Sequence, residues 1–226
     1  MKPLPNPDCV VKVGEGRGFI VVNRIEFPPE ILRSMPRPRF RRPARFMDHR
    51  LIITASHCIA TTIPCTPADL ERMCKHLGTL DGSKKDIWGK ILFVDPIADI
   101  AVLRCPDNYE MDERIDAYRE LTESASFVRI GKATSGHGWV LSLEGRWVRT
   151  TLKVNRGIDG TTIATGPTEP GMSGSPILNT SGRAVGVVAL GSQRVDAQGR
   201  HEENALAWGH PILSRHPPGW LLEGCG

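Results

Sequence analysis

Long apolar runs are missing from this sequence, and so is a recognisable leader. No segment approaches the roughly 18 consecutive apolar residues that a membrane-spanning helix requires. The N-terminus, MKPLPNPDCVVKVGEG, does not contain the apolar core of a secretory signal peptide. The first absence argues against a helical membrane protein, and the second argues against secretion. Together they predict a cytoplasmic protein that has no membrane partner.

Cysteine is also scarce. The six cysteines in 226 residues are too few for a disulfide framework, and none of them forms a CxxC pair. Together with the missing leader, this scarcity predicts free thiols in a reducing compartment. Cys58, Cys65, Cys74 and His76 lie close in sequence, but their spacing matches no usual zinc site. We therefore predict no bound metal and no cofactor.

A strong charge spread over the whole chain is absent as well, because the net charge of +4 is local. Residues 28–50 are rich in proline and contain seven arginines against two acidic residues, a net charge of +5. Residues 107–126 contain seven acidic residues against two arginines, a net charge of −5. The near-neutral body disfavours nucleic acid as a partner. We interpret residues 28–50 as a surface insertion that is either a solvated loop or a docking site for an acidic partner.

What the sequence does contain is a series of short apolar segments, rich in Val, Ile, Leu and Thr and separated by Gly, Pro, Asn or Asp. This pattern predicts an all-β protein with about twelve strands, which suit two six-stranded barrels or a large sandwich. The predicted strands are 9–13, 18–22, 50–54, 90–94, 100–104, 127–130, 139–143, 146–154, 161–165, 176–179, 184–190 and 205–208. Two segments look helical, 66–78 and 111–123, although the second half of the former also fits a strand.

Three segments supply a histidine, an aspartate and a serine in that order. LIITASHCIA places His57 directly after an apolar strand, ILFVDPIADIAVLR contains Asp95 and Asp99, and GPTEPGMSGSPILN places Ser173 in a glycine-rich turn. A serine hydroxyl becomes a nucleophile at neutral pH only beside a base whose tautomer a carboxylate fixes. Neighbouring glycines let backbone N–H groups converge on the developing oxyanion. We therefore predict Ser173 as the nucleophile and the N–H groups of Gly171 and Ser173 as the oxyanion hole.

These segments resemble the signature boxes of the trypsin-like serine peptidases, which have the chymotrypsin fold. TASHC resembles the family's TAAHC, ADIAVL resembles its DIALL, and GMSGSP resembles its GDSGGP. The similarity is greatest to the HtrA/DegP-like branch, through GRGFIV, VDPIADIAVL and SGSPILNTSGRAVGV. The resemblance implies two six-stranded antiparallel β-barrels with the active site in the cleft between them, and it suggests a bacterial source. It also places the catalytic acid directly before IAVL, which selects Asp99 over Asp95 as the partner of His57.

The resemblance further implies a substrate pocket, S1, between two segments of the second barrel. Register with the family puts Pro167 and Thr168 on one wall of this pocket, and Ala189, Leu190 and Gly191 on the other. No aspartate lies at the base of the pocket, so a preference for Arg or Lys is disfavoured. A small or medium apolar residue is the expected P1 residue of the substrate.

Three features depart from the wider family. Met172 stands where the digestive members carry an acid that pairs with a cleaved N-terminus, so activation of that type is excluded. Cys58 follows the histidine, but its usual disulfide partner about 16 residues earlier is absent, which predicts a buried free thiol. No PDZ-like region follows the last predicted strand.

The sequence thus predicts a serine endopeptidase that acts on a protein or peptide through an acyl-enzyme intermediate. The alternative is a catalytically silent or partner-gated module that binds through its basic insertion. The predicted organisation is an N-terminal tail (1–8), a first barrel (9–105) carrying the insertion (28–50), an acidic connector (106–126), and a second barrel with a tail (127–226).

Overall fold

The structure is a computed structural model, and most of the chain is described in it. The described residues are 3–26, 46–59, 73–96, 99–106, 112–132, 135–155, 161–165, 169–188, 190–191 and 211–215. They form one closed barrel, one larger curved sheet and one helix. The prediction of an all-β protein is confirmed.

Six antiparallel strands close the first barrel. They are β1 (Val10–Val13), β2 (Gly16–Glu26), β3 (Phe46–Thr54), β4 (Met73–Thr79), β5 (Ile87–Asp95) and β6 (Ile100–Arg104). Around the barrel their order is β1-β2-β3-β6-β5-β4, and β4 pairs back onto β1. The central residues of β2, β3 and β6 are consecutive apolar side chains that are all buried, so both faces of these strands are covered and one face fills the barrel interior.

The second half of the molecule is a sheet of seven strands. They are β7 (Gly136–Leu141), β8 (Trp147–Asn155), β9 (Thr161–Thr165), β10 (Pro176–Asn179), β11 (Ala184–Val187), β12 (Leu190–Gly191) and β13 (Pro211–Arg215). Their order in the sheet is β11-β10-β7-β8-β9-β13-β12. The two edge strands, β11 and β12, are almost consecutive in sequence, so the sheet curls until its edges approach each other. It is a barrel-like sheet with one strand more than predicted, and its hydrogen bonding does not close within the described residues.

One helix, α1 (Asp112–Glu123), connects the two halves, and it confirms the helix predicted over 111–123. The apolar residues at its three-residue spacing, Ile115, Tyr118 and Leu121, are all buried. The Tyr118 hydroxyl lies 3.2 Å from the carbonyl oxygen of Arg50 and 3.3 Å from that of Leu103, so it ties the helix to the first barrel. No helix in the described part of the chain has the length and apolar character needed to cross a membrane.

For the other helical segment, 66–78, the helix is wrong where the structure describes it, and the strand that was the alternative for its second half is confirmed. Residues 73–79 form β4, which pairs with β1 through Thr79 and Val11 and with β5 through Met73 and Lys90. Closing the barrel needs a sixth strand, and this tertiary demand overrides the local helical pattern. Residues 66–72 lie outside the described residues.

One further strand prediction differs from the structure, one is not tested by it, and one observed strand was not predicted. Residues 127–130 form no strand; Phe127 is exposed, and Ile130 makes only an isolated bridge to Ala184. The predicted strand 205–208 lies outside the described residues, and β13 was not predicted at all.

The segment before β1 links the two halves of the molecule. The Trp147 indole N–H, on β8, donates a hydrogen bond to the carbonyl oxygen of Pro5 at 2.9 Å. The turn between β10 and β11 also lies against this segment, because a Cβ added at Gly182 would be 3.4 Å from Pro5. Residues 3–6 therefore pack on the second sheet, while β1 belongs to the first barrel.

Candidate active site

His57 lies where β3 leaves the first barrel. After Thr54 the chain enters a single 3₁₀ turn, Ser56–Cys58, which turns the backbone away from the barrel wall. The residues on either side, Ser56 and Cys58, are buried, whereas 47% of the His57 side chain is exposed. The local structure therefore fixes the backbone and presents the imidazole ring to solvent.

Asp99 meets this turn from β6. Its backbone φ is 52°, a left-handed conformation, and its carbonyl oxygen accepts the Ser56 N–H at 3.2 Å. Its carboxylate accepts three further donors: the Ser56 hydroxyl at 2.7 Å, the His57 backbone N–H at 3.0 Å and the His57 ring Nδ1 at 2.7 Å. Three contacts to the carboxylate and one to the backbone carbonyl therefore fix Asp99 relative to the imidazole ring. Of the two carboxylates considered from the sequence, Asp99 is the one that hydrogen bonds to His57.

The pairing shifts the pKa values of both groups. The hydrogen bond to Asp99, followed by a contact with the Cys58 thiol, raises the pKa of His57 above its usual value. Burial opposes ionisation of Asp99, but hydrogen bonds from His57 and Ser56 outweigh it and lower the pKa of this carboxyl. At neutral pH Asp99 is therefore a carboxylate, and it favours the protonated form of His57.

The loop before β10 contains Ser173. Gly171 and Gly174 have φ values of 94° and 84°, which side-chain-bearing residues rarely adopt. Two turn hydrogen bonds, from Met172 N–H to the Glu169 carbonyl and from Ser175 N–H to the Met172 carbonyl, shape the loop between them. Within the described residues, the backbone N–H groups of Gly171 and Ser173 donate to no protein acceptor. Two unpaired donors therefore flank Met172 in a loop that is only partly buried.

The first barrel holds this loop from the other side. The Ser173 carbonyl oxygen accepts the Arg17 N–H at 2.7 Å. A Cβ at Gly16 would collide with the Cys58 thiol and would lie 2.7 Å from the Ser173 carbonyl oxygen. Ser173 and Cys58 therefore approach the same point on β2, which brings the serine backbone beside the turn that carries His57. No hydrogen bond between the Ser173 hydroxyl and the imidazole occurs among the described residues.

Ser56 is a site residue that the sequence analysis did not single out. Its hydroxyl donates to the Asp99 carboxylate at 2.7 Å, and the residue is 9% exposed. The signal was present in the sequence, because TASHC has a serine where the family box TAAHC has an alanine. The hydroxyl gives Asp99 a donor that alanine cannot supply.

The residues predicted for the S1 pocket are mostly outside the described part of the chain. Thr168 and Ala189 lie there, as does Pro167, whereas Leu190 and Gly191 form β12 and pair with β13. No side-chain cluster suited to a metal ion occurs among the described residues. The cysteines whose side chains the structure describes are free thiols: Cys9, Cys58 and Cys105.

The comparisons with known proteins concern the family and the fold of the chain. The profile of the family described as "Trypsin-like peptidase domain" matches residues 45–187, which is more than half of the chain. The chain belongs to the trypsin-like peptidase family. This confirms the resemblance recognised from the three boxes, and it makes the protein a hydrolase of the serine endopeptidase type. None of the curated proteins is a significant match to the chain.

Solved structures with a similar fold include viral and bacterial proteases. A serine protease of a human pathogenic astrovirus has a TM-score of 0.50 at 14% identity, over 97% of this chain and 94% of that one. The MamO protease domain of Magnetospirillum magneticum has a TM-score of 0.47 at 12% identity, over 94% and 93%. The HtrA-type protease AlgW has a TM-score of 0.45 at 14% identity, over 97% and 63%. At such identities the astrovirus likeness shows the fold alone, and that fold is chymotrypsin-like.

Proposed function

We propose that this peptidase cleaves peptide bonds with a catalytic triad of Ser173, His57 and Asp99. The observation that carries the proposal is the 2.7 Å contact between His57 Nδ1 and the Asp99 carboxylate. A carboxylate in this position accepts the Nδ1 proton and fixes the tautomer in which Nε2 has a free lone pair. The imidazole ring is then a base whose active nitrogen points away from Asp99 and toward the exposed side of the turn.

The triad would act in two halves. In the first, His57 Nε2 takes the proton of the Ser173 hydroxyl as the oxygen attacks the substrate carbonyl carbon. The tetrahedral intermediate collapses when His57 returns the proton to the leaving amine, and an acyl ester remains on Ser173. In the second half, water repeats the attack with His57 as base, and the ester bond breaks to release the acid and the free serine.

The unpaired N–H groups of Gly171 and Ser173 are the proposed donors to the oxyanion. Their loop is restrained through the Ser173 carbonyl and the Gly174 N–H, which donates to Val188 at 2.7 Å. Donors that are already oriented need no reorganisation when negative charge develops on the substrate oxygen, and this arrangement is the largest electrostatic contribution in acyl transfer. The missing hydrogen bond between Ser173 and His57 is compatible with this role, because such contacts often tighten only when substrate binds.

The proposed substrate is a protein or peptide with a small or medium apolar P1 residue. The family supports the class of substrate. The P1 preference rests on the resemblance, which places no aspartate at the base of the pocket next to Thr168 and Leu190. A fluorogenic peptide library that varies P1 tests the preference, and faster cleavage after Arg or Lys would contradict it.

The triad itself is tested by paired serine substitutions two residues apart. Ser173→Ala is expected to lower kcat by about 10⁴- to 10⁶-fold while the protein stays folded, because it removes the nucleophile. Ser175→Ala is the matched control, since Ser175 is fully buried and its hydroxyl has no partner among the described residues. The measurement is hydrolysis of the best library peptide. Activity in Ser173→Ala close to that of the wild type would disprove the proposed nucleophile.

A further inference from the structure

Arg17 is a buried charge that the proposed triad does not use. It lies near the start of β2, between Gly16 and Gly18, and only 6% of the residue is exposed. Burial lowers the pKa of its guanidinium, and the nearby Glu169 carboxylate partly opposes this effect. Burying a guanidinium costs free energy unless its N–H groups donate to acceptors. The acceptors of the Arg17 guanidinium therefore indicate its structural role.

The guanidinium donates to three successive backbone carbonyls of the second sheet. Nη1 lies 3.2 Å from the Leu141 oxygen and 2.8 Å from the Ser142 oxygen, and Nη2 lies 3.2 Å from the Leu143 oxygen. The Leu141 carbonyl is at the end of β7, and the other two carbonyls are in the turn that leads into β8. A hydrogen bond from the Ser142 N–H to the Arg146 carbonyl oxygen, at 2.9 Å, closes this turn. A planar fork of several donors can hold the whole row, whereas the compact ammonium of a lysine can reach only part of it.

The turn that Arg17 holds lies against the proposed oxyanion loop. Leu143 Cδ2 is 3.6 Å from the position that a Cβ would occupy on Gly171. The backbone of Arg17 contacts the same loop directly, through its N–H to the Ser173 oxygen at 2.7 Å. Its carbonyl oxygen in turn accepts the Thr54 hydroxyl at 2.6 Å. One residue of the first barrel thus touches both sides of the donor loop, directly at Ser173 and through Leu143 at Gly171.

We propose that Arg17 is a positioning residue for the oxyanion hole, which acts through the 141–143 turn. This inference rests on the proposed function, because it assigns Gly171 a donor role. The backbone bond from Arg17 to Ser173 survives any side-chain substitution, but the three carbonyl contacts require the guanidinium. Loss of the guanidinium therefore releases Leu143 and Gly171 while Ser173 stays in place. Such a change lowers the rate of the chemical step more than it weakens binding.

The test is the rate at which a fluorophosphonate labels the protein, since its phosphoryl oxygen would occupy the oxyanion hole. In Arg17→Gln we expect kinact to fall by roughly 10- to 100-fold, as small misplacements of catalytic groups cause, with KI changed less than twofold. Arg17→Lys is expected to recover part of the loss. Arg24→Gln is the matched control on the same strand, because Arg24 is exposed and pairs with Asp48 at 2.8 Å. Its labelling rate is expected to equal that of the wild type.

A second variant covers the case in which Arg17→Gln does not fold. Leu143 is 43% exposed and is not part of the buried core, so Leu143→Ala is expected to preserve the fold while it removes the side chain that lies beside Gly171. We expect it to lower kinact with KI preserved, by less than Arg17→Gln does. Wild-type labelling rates in folded Arg17→Gln, or in Leu143→Ala, would overturn the positioning role alone. Failure of the wild-type protein to be labelled at Ser173 would instead contradict the proposed function.

Discussion

At the scale of single residues, the contact between Asp99 and His57 determines how activity should depend on pH. Only neutral His57 can accept a proton, so kcat/KM should rise with pH through the pKa of this histidine. The hydrogen bond to Asp99 raises that pKa. The midpoint for the wild-type protein is therefore expected above about 6.5, the usual value for histidine.

Asp99→Asn tests this directly. The substitution removes the negative charge that favours protonated His57, so the pH midpoint should move down toward the usual value. The plateau of kcat should also fall by about 10⁴-fold, because asparagine no longer selects the active tautomer. Profiles of kcat/KM against pH for both proteins provide the measurement. A midpoint that stays in place or moves up in the variant would contradict the proposed pairing.

The sequence was informative about the residues that meet at the proposed site, for a physical reason. His57 lies three residues after β3, and Asp99 directly precedes β6, which pairs with β3, so the two strands bring these side chains together. Both residues lie in segments that resemble family boxes, and this made them recognisable. Arg17 and Ser56 were not recognised, because their roles depend on contacts far away in sequence, with Ser142 and Asp99 respectively. The only local sign of the contact between Arg17 and Ser142 was an arginine between two glycines in an apolar strand.

At the scale of secondary structure elements, Gly174 marks a close approach between the proposed oxyanion loop and the first barrel. A Cβ at this position would collide with the Arg17 carbonyl oxygen and lie 2.6 Å from the Thr54 hydroxyl. The obstacle is backbone, which cannot move without displacing β2. The glycine is thus required both by its φ of 84° and by the space available.

Gly174→Ala is therefore expected to destabilise the fold by roughly 3 kcal/mol or more, as overpacking and backbone strain add. Gly82→Ala is the matched control, because Gly82 has a φ of 73° but no atom within 4 Å of its missing Cβ. The control should lose only about 1–2 kcal/mol, the cost of the left-handed conformation. Urea unfolding measures both variants, and equal losses in the two would contradict the proposed steric role.

The strands β4 and β13, which the sequence analysis did not place as strands with certainty or at all, have one feature in common. Strands with strong alternation or short apolar runs, such as β6 and β9, were predicted with their observed bounds. β4 was predicted as part of a helix, because its strand conformation depends on pairing with β1 and β5, which local sequence does not encode. β13 pairs with β9 and β12, so it too is defined by distant partners.

At the scale of the whole molecule, the excess positive charge enters the fold away from the proposed triad. The predicted insertion, 28–50, is too long at its C-terminal end, because residues 46–50 belong to β3 and pair with β2. The remaining basic segment follows Glu26 and precedes Phe46, and these two residues pair at one end of the β2–β3 ladder. Gly18 pairs with Thr54 at the other end, beside the His57 turn. Eight residue steps along β3, from Phe46 to Thr54, separate the two ends by about 26 Å. The basic segment thus joins the barrel far from the proposed catalytic residues, although it precedes His57 closely in sequence.

Deletion of residues 33–45 is accordingly expected to leave kcat/KM for a short peptide within about twofold of the wild-type value. Over such distances dissolved salt screens charge–charge interactions, because the Debye length is only about 10 Å at 0.1 M ionic strength. The measurement is hydrolysis of the library peptide at constant ionic strength. The predicted docking of an acidic partner is measured separately, by titrating polyglutamate into both proteins. A tenfold loss of peptide hydrolysis in the deletion variant would show that the insertion serves the active site.

The central claim is that Ser173 is a nucleophile activated by His57. It is tested most directly by treating the protein with a fluorophosphonate and locating the adduct by peptide mass spectrometry. We predict a single adduct on Ser173, formed at a rate that falls sharply in His57→Ala, with Ser175 unmodified. An adduct elsewhere, or no adduct on a folded protein, would contradict the account.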